Sequence, residues 1–473
     1  MPALYHERGA QSGSPTSDVF LTHVSELPSV KRRLSSDGRR RHGGHVASAQ
    51  LRRTLEKNPS KTVDLTVETT GERTSVITRG QFGRKIQGWH PTADEIAGLS
   101  EFGDVSYVPE VISTKVGLGG VRAADVAEIA SLEFVLGVGC DPDLDPIADG
   151  DTGVSVQGGS RPTADELKSA AHMDFDSAVY DLTPLTQIGI IGGGYTGVTD
   201  WSQPWAELVG IDTAKARDFI GDDWRTGTKH GTNVADTAAY MLKDGSHHPN
   251  LFVPLQVYEP DYGLVKGSVM REAIEYALLH DIAVVNISVE TAEYESHCPS
   301  TVCAELHAYT TAGYLAVVAS GNDSRKRKVC HPATSHFSIT AGGYSGRCVG
   351  GYYRHGRSNY GRINYVDAES NTVSCPWCYE SAGVAEFQPN VYACYTFTTD
   401  AGETIGGTSF AAPLVAAAGA IRHAVHGSDG FAEKLSAFTG MDDKVVCESD
   451  ASHRGRVLHV PALTATDTAD PEQ

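Results

Sequence analysis

The 473 residues carry 39 basic and 59 acidic side chains, a net charge of −20, and 40% of them are apolar. That length allows more than one domain and that apolar share allows a real core, while so acidic a balance argues against a nucleic-acid partner, which needs clustered cations. No run of about 18 apolar residues occurs, which excludes a membrane-spanning helix.

In chain order, residues 1–60 are polar, carry the tract KRRLSSDGRRRHGG and show no helical or strand period, the pattern of a mobile leader. The first thirty residues lack the basic start and apolar core of a secretion signal, so the expected location is cytoplasmic. An excess of carboxylates would also suit a salt-rich, halophilic interior, the plain alternative being an ordinary acidic protein.

Residues 61–141 read as a small α+β unit. Val63, Leu65 and Val67 alternate as in a half-buried strand. Thr92 and Glu95 have capping-box spacing ahead of Ile96 and Leu99. A strand (VSYVPEVISTKV), a helix (RAADVAEIASL) and a strand (FVLGVGCD) follow. Residues 142–161 are rich in Gly and Asp and read as a linker. From 162 to 450 apolar strands alternate with helices: QIGII, then a helix opening near His230, LFVPLQV, MREAIEYALLH, IAVVNISV, TVCAELHAYTTAG, YLAVVAS. Such βαβ alternation predicts an α/β fold, a parallel sheet covered by helices on both faces. Residues 451–473 form a polar tail.

Three segments carry chemistry. GGTSFAAP (406–413) puts Ser409 at the start of a small-residue helix, among free N–H groups and at the positive end of the helix dipole. Taken alone it could equally be an N-cap. KHGTNVADTAAYML puts His230 at another helix start, although a lone histidine is more often structural. VVASGNDS puts Asn322 after a strand end, where an amide can donate to a developing oxyanion.

In this order and at these spacings the three segments resemble the subtilisin-like serine peptidases over roughly residues 162–425, as do VVNISV, CHPATSHFSITAGGY and SNYGR. The resemblance implies a serine endopeptidase of subtilisin-like fold preceded by a prodomain-like unit at 61–141. It would work through an acyl-enzyme on Ser409, with His230 as general base and Asn322 in the oxyanion hole. It implies a peptide or protein substrate and no required cofactor. It allows structural calcium, with no residue set specific enough to place it.

Two departures stand out. The family's first strand ends in aspartate, and here QIGII runs into Gly192, Gly193 and Gly194. Aligned by the strand, Gly192 occupies the aspartate position. Asp200 and Asp212 lie between this run and His230, and Asp236 follows it by six residues. The alternatives are a substitute carboxylate, a slow Ser–His dyad, or an inactive homologue that binds peptides or a partner protein. A nucleotide loop at GGGYTG lacks the required spacing. In the segment resembling the substrate-binding strand, Ser288, Val289 and Glu290 stand where Ser-Leu-Gly is usual, and Asp323 follows Asn322. Two carboxylates there would draw a basic side chain before the scissile bond. The alternative is that Glu290 turns to solvent.

Of nine cysteines, Cys375 and Cys378 have CxxC spacing, which with Cys348 and Cys394 could hold zinc. Disulfides, for example among Cys298, Cys303 and Cys330, or buried free thiols are equally open readings.

Overall fold

The computed structural model describes residues 19–20, 55, 61–79, 83–141, 143–146, 186–195, 209–242, 248–258, 265–291, 301–322, 329, 332–335, 337–348, 351–362, 365–366, 372–373, 387–398, 404–426, 446–447 and 456–458. Almost all of the leader at 1–60, most of the stretch 142–161 and most of the tail lie outside these residues.

The first unit contains Thr62–Thr69 (β1), Glu72–Ile77 (β2), Lys85–His90 (β3), helix Ala93–Ser100 (α1), Asp104–Tyr107 (β4), Lys115–Arg122 (β5), helix Val126–Ser131 (α2) and Val135–Cys140 (β6). Strands β4-β5-β1-β6 make an antiparallel sheet whose core includes Leu65, Val67, Leu118, Val126 and Ile129. Thr92 and Glu95 form the reciprocal cap of α1, with Thr92 N–H donating to Glu95 Oε2 at 2.8 Å. The β2–β3 hairpin was not legible in the sequence. The residues of β2 are intermediate or exposed throughout, so no apolar alternation marks it.

Asp143–Pro146 (β7) is a strand, where composition predicts linker. Its partners lie far along the chain, so local composition could not show the pairing.

The second unit is built on Ile188–Gly192 (β8), Val209–Ile211 (β9), helix Lys229–Leu242 (α3), His248–Gln256 (β10), Val265–Lys266 (β11), helix Gly267–Leu279 (α4), Val284–Ile287 (β12), Val289–Thr291 (β13), helix Thr301–Thr311 (α5), Leu315–Ala319 (β14), Ile339–Cys348 (β15), Val391–Cys394 (β16) and helix Thr408–His426 (α6). Strands β9-β10-β8-β12-β14-β15 are hydrogen-bonded in that order and all parallel. Residues 351–354 pair antiparallel with β15, and β16 pairs with it in parallel.

Alternation sorts each strand between two cores. Ile188, Ile190, Phe252, Val284, Val317 and Ala319 meet α3 and α6. Ile191, Val253, Leu255, Val285, Ile287 and Val318 meet α4 and α5. The predicted α/β architecture is therefore what the chain adopts. The chain leaves β8 toward β9 and β10 on one side and returns to β12 on the other, so the carboxyl end of β8 is a topological switch point where a crevice forms. Among the described residues no helix is long and apolar enough to cross a membrane.

The first unit sits on α4 and α5 through buried polar groups. Glu275 Oε1 accepts from the backbone N–H groups of Glu110, Val111 and Ile112, and its Oε2 accepts from Tyr107 Oη. Arg271, fully buried, pairs with Glu305 at 3.0 Å and donates to the Lys115 carbonyl. Ser113 Oγ donates to the same Glu305 oxygen, and Ser268 Oγ to Asp141 at 2.6 Å. At the rim Lys266 Nζ meets Asp64 at 2.8 Å.

Candidate active site

Ser409, His230, Asn322 and Ser288 gather at the carboxyl ends of β8, β12 and β14. Helix α6 opens at Thr408, where the Phe410 and Ala411 N–H groups donate to the Gly407 carbonyl. Ser409 therefore sits in the first turn, where helical N–H groups have no intrahelical acceptor. Pro413 lies inside this helix. Having no N–H, it leaves the Ser409 carbonyl without its usual i+4 donor. Ser288 Oγ supplies that bond at 3.3 Å, and Asn286 Nδ2 donates to Ser288 Oγ at 3.0 Å. The Ser288 side chain thus braces the Ser409 backbone.

Asn322 follows β14 and is locked to the same helix start. Its Oδ1 accepts from Thr408 N–H at 2.8 Å and from Thr408 Oγ1 at 3.0 Å, while Thr408 Oγ1 accepts from Gly321 N–H at 3.1 Å. With Oδ1 committed to Thr408, the Nδ2 end of the amide is turned the other way. Thr408 is the anchor that sequence reading overlooked.

His230 is the second residue of α3. Thr228 caps this helix, its Oγ1 accepting from Gly231 N–H at 2.9 Å. The glycine run explains how the helix start comes so close to β8. Thr228 N–H donates to the Gly193 carbonyl at 2.7 Å, Gly227 N–H to the Tyr195 carbonyl, and Tyr195 N–H to the Trp224 carbonyl. Gly194 has φ of +64°, and a Cβ there would overlap Gln256 Oε1. A Cβ on Gly231 would overlap the Gly194 carbonyl. Backbone packs on backbone here, leaving no room for side chains at 194 or 231.

Across the crevice, the His230 and Phe410 rings lie 5.4 Å apart between centroids, which sets His230 beside the residue that follows Ser409. Both Ser409 Oγ and His230 Nε2 are shielded from solvent, and Ser409 Oγ makes no hydrogen bond. Ser409 Oγ and His230 Nε2 are thus not hydrogen-bonded to each other.

A Cβ built on Gly192 meets nothing within 4 Å. That open position points toward the α3/α6 face, since Ile188 and Ile190 on the same strand do. Asp212 does not replace the missing aspartate, because it lies at the opposite end of the sheet from Gly192. Ile211 lies in register with Phe252, and Phe252 with Ile188, which places Asp212 at the amino end of β8. There it accepts from Gln187 Nε2 at 2.8 Å and from the N–H groups of Ala214 and Lys215. Asp236 lies six residues along α3, about 9 Å down its axis from His230. Asp200 lies outside the described residues.

Strands β7, β11 and β13 form a small antiparallel sheet with β7 in the middle: Val265 pairs with Leu144, Val289 with Pro146, and Glu290 with Asp145. The edge expected to bind substrate through Val289 and Glu290 is therefore occupied by the chain's own residues 143–146. Val289 is buried in the α4/α5 core. Asp323 lies outside the described residues.

The cysteines are less gathered. Cys394 is buried, its thiol donating to the Thr396 carbonyl at 3.1 Å, and burial pushes its pKa up to about 12, away from the thiolate a metal ligand needs. It pairs in register with Tyr344. Cys348, four residues further along β15, is thus roughly 13 Å away along the sheet. Cys298, Cys330, Cys375 and Cys378 lie outside the described residues.

Gln256, which the sequence reading did not single out, ends β10 in register with Gly192, and its amide is fully buried with no hydrogen bond at either end. The signal for it, and for Asn286, was a polar residue interrupting an apolar run.

Residues 152–436 match the family model described as the subtilase family. Among solved structures the chain is similar to fervidolysin from Fervidobacterium pennivorans, described as a keratinolytic enzyme related to subtilisin, with 15% identity and a TM-score of 0.56. The alignment covers 89% of this chain and 63% of that one, so the chain spans less than two thirds of its length, and at this identity the likeness is one of fold. No curated protein matches the sequence.

Proposed function

The chain belongs to the subtilase family of serine peptidases, and from this premise we propose that it is an endopeptidase acting through an acyl-enzyme on Ser409. In this reading Ser409 attacks the peptide carbonyl. His230 takes the proton and returns it to the leaving amine, and Asn322 Nδ2 with the Ser409 N–H holds the oxyanion. The observation that carries it is the pair of hydrogen bonds that Thr408 N–H and Thr408 Oγ1 donate to Asn322 Oδ1. It ties the oxyanion amide to the very turn that bears the nucleophile, which a purely structural asparagine would not need.

The described chain is a covered form of this enzyme. Strand β7 fills the groove between β11 and β13, so a peptide can pair with Val289–Thr291 only after residues 143–146 leave. This favours retention of the first unit as a cover on the catalytic unit over an inactive homologue built for binding. Preference for a basic residue before the scissile bond, from Glu290 and Asp323, belongs to the same proposal. Matched Arg, Lys and Leu peptides test it, and a Leu preference overturns it.

The deciding experiment is labelling with a fluorophosphonate probe. Labelled Ser409, with the label abolished in Ser409→Ala, supports the peptidase. Absence of label after removal of residues 1–146, at both low and high salt, supports the binding protein instead.

A further inference from the structure

We infer that Gln256 is the positioning residue for His230, supplying from the neighbouring strand the hydrogen-bond acceptor that an aspartate at position 192 would otherwise provide. The inference rests on the peptidase reading for its functional meaning, and on geometry for its assignment.

Gln256 and Gly192 are Cα partners on adjacent parallel strands, the last pair of the β8–β10 ladder. Paired residues on neighbouring strands point to the same face. On β10, Phe252 meets the α3/α6 core while Val253, Leu255 and Val257 meet the other, which puts Gln256 on the α3/α6 side together with position 192. The face is the one against which α3 and α6, the helices whose first turns carry His230 and Ser409, pack.

The space fits the exchange. A Cβ at Gly192 meets nothing within 4 Å, and a glutamine is one methylene longer than an aspartate, as a group reaching over from the next strand must be. The carboxamide end of Gln256 already lies against Gly194, whose carbonyl packs directly on Gly231, the residue after His230. Gln256 and His230 therefore flank a single turn of backbone.

The polarity is otherwise unaccounted for. Gln256 has no exposed surface, and neither Oε1 nor Nε2 bonds to any protein group. A buried amide unsatisfied at both ends calls for a reason beyond packing, since an apolar residue would fill the same volume in a strand that reads LFVPLQV. Chemically the amide can do part of the carboxylate's work. Oε1 accepting from His230 Nδ1–H would fix the tautomer whose Nε2 lone pair faces Ser409, the role an asparagine plays in Cys-His-Asn peptidases. Being neutral, it would leave the imidazolium formed during acylation uncompensated.

The test uses the full chain in three forms, with Gln256, Gln256→Glu and Gln256→Leu, each carrying Ser409→Ala for NMR titration of the His230 ring. A carboxylate at 256 beside the ring should raise the His230 pKa by at least one unit, a tenfold change in proton affinity. A shift below 0.3 unit overturns the inference whether or not the enzyme turns over. In the Ser409 background, assayed after removal of residues 1–146, Gln256→Leu should lower kcat about 10- to 100-fold at unchanged KM and without lowering Tm. Should Gln256→Glu fail to fold, this variant decides alone. A fall in Tm that tracks the fall in kcat, or no fall in kcat, overturns the inference. A wild type that takes no fluorophosphonate label after removal of residues 1–146 overturns the peptidase reading, while the titration still decides where Gln256 stands.

Discussion

Replacing Gly192 by aspartate should make the enzyme faster. The substitution meets no steric objection, because a Cβ at this position finds no atom within 4 Å and the backbone is not in the left-handed region. The new carboxylate would share the face of Gln256 Nε2, which can donate to one of its oxygens, leaving the other for His230. In subtilisin, itself a member of this family, losing the aspartate alone costs about 3 × 10⁴ in turnover. That is about 6 kcal/mol at 1.36 kcal/mol per decade, which sets the ceiling for a gain here. Burial of a new charge and the orientation that Gln256 already gives His230 both subtract from it, so we expect a gain of about 10²-fold in kcat, or about 3 kcal/mol. The assay is kcat and KM on a chromogenic peptide, with fluorophosphonate labelling rate as a second measure of Ser409 reactivity, both after removal of residues 1–146. Gly193→Asp is the control. A Cβ at 193 would lie 2.7 Å from the Tyr258 ring and overlap Thr228, so that variant should lose stability and gain nothing. A folded Gly192→Asp protein with unchanged or lower labelling rate would refute the assignment of position 192.

Three further outcomes follow from described contacts. Asn322→Asp keeps an acceptor for Thr408 but loses the amide donor. It should lower kcat about 10²- to 10³-fold at similar KM, the range known for the oxyanion asparagine of subtilisin, a member of the same family. Burial raises the Glu275 carboxyl from its ordinary 4.5 to about 7. The folded chain therefore holds this proton where the unfolded chain has lost it, so the contribution is fully present below 4.5 and is lost as pH rises through about 7, a change of about 3 kcal/mol. Glu275→Gln, which can keep the Oε1 acceptor for residues 110–112, should flatten that part of the Tm-versus-pH curve. Arg271→Leu strands Glu305 in the core and should cost about 3–5 kcal/mol by urea unfolding, while Arg271→Leu with Glu305→Leu recovers much of it.

The parts of the site that were legible in the sequence are those written in short contiguous strings. Ser409, His230 and Asn322 each sit at the junction of a strand or glycine pair with a helix or turn, and neighbouring residues announce the junction. The alternation of strands and helices likewise exposed the parallel sheet, because two-sided burial leaves apolar runs such as YLAVVAS with little else to be. What depends on register was not legible. Asp212 seemed well placed by its position between the glycine run and His230, yet the pairing of Ile211 with Phe252 sends it to the far end of the sheet. Gln256 meets Gly192 only because β8 and β10 align over five residue pairs. Residues 143–146 look like linker by composition, and their strand character comes wholly from Val265–Lys266 and Val289–Thr291, more than a hundred residues onward.

That last strand alters how the site would respond to its surroundings. A groove filled by a separate molecule empties on dilution. Here the occupant belongs to the same chain, and its effective concentration is fixed by that connection however thin the solution. Opening is then a unimolecular equilibrium, set by the β7 ladder and by the buried contacts beneath the first unit. Under the proposed function a free peptide would compete against that fixed concentration, and dilution would matter only if the connection were cut.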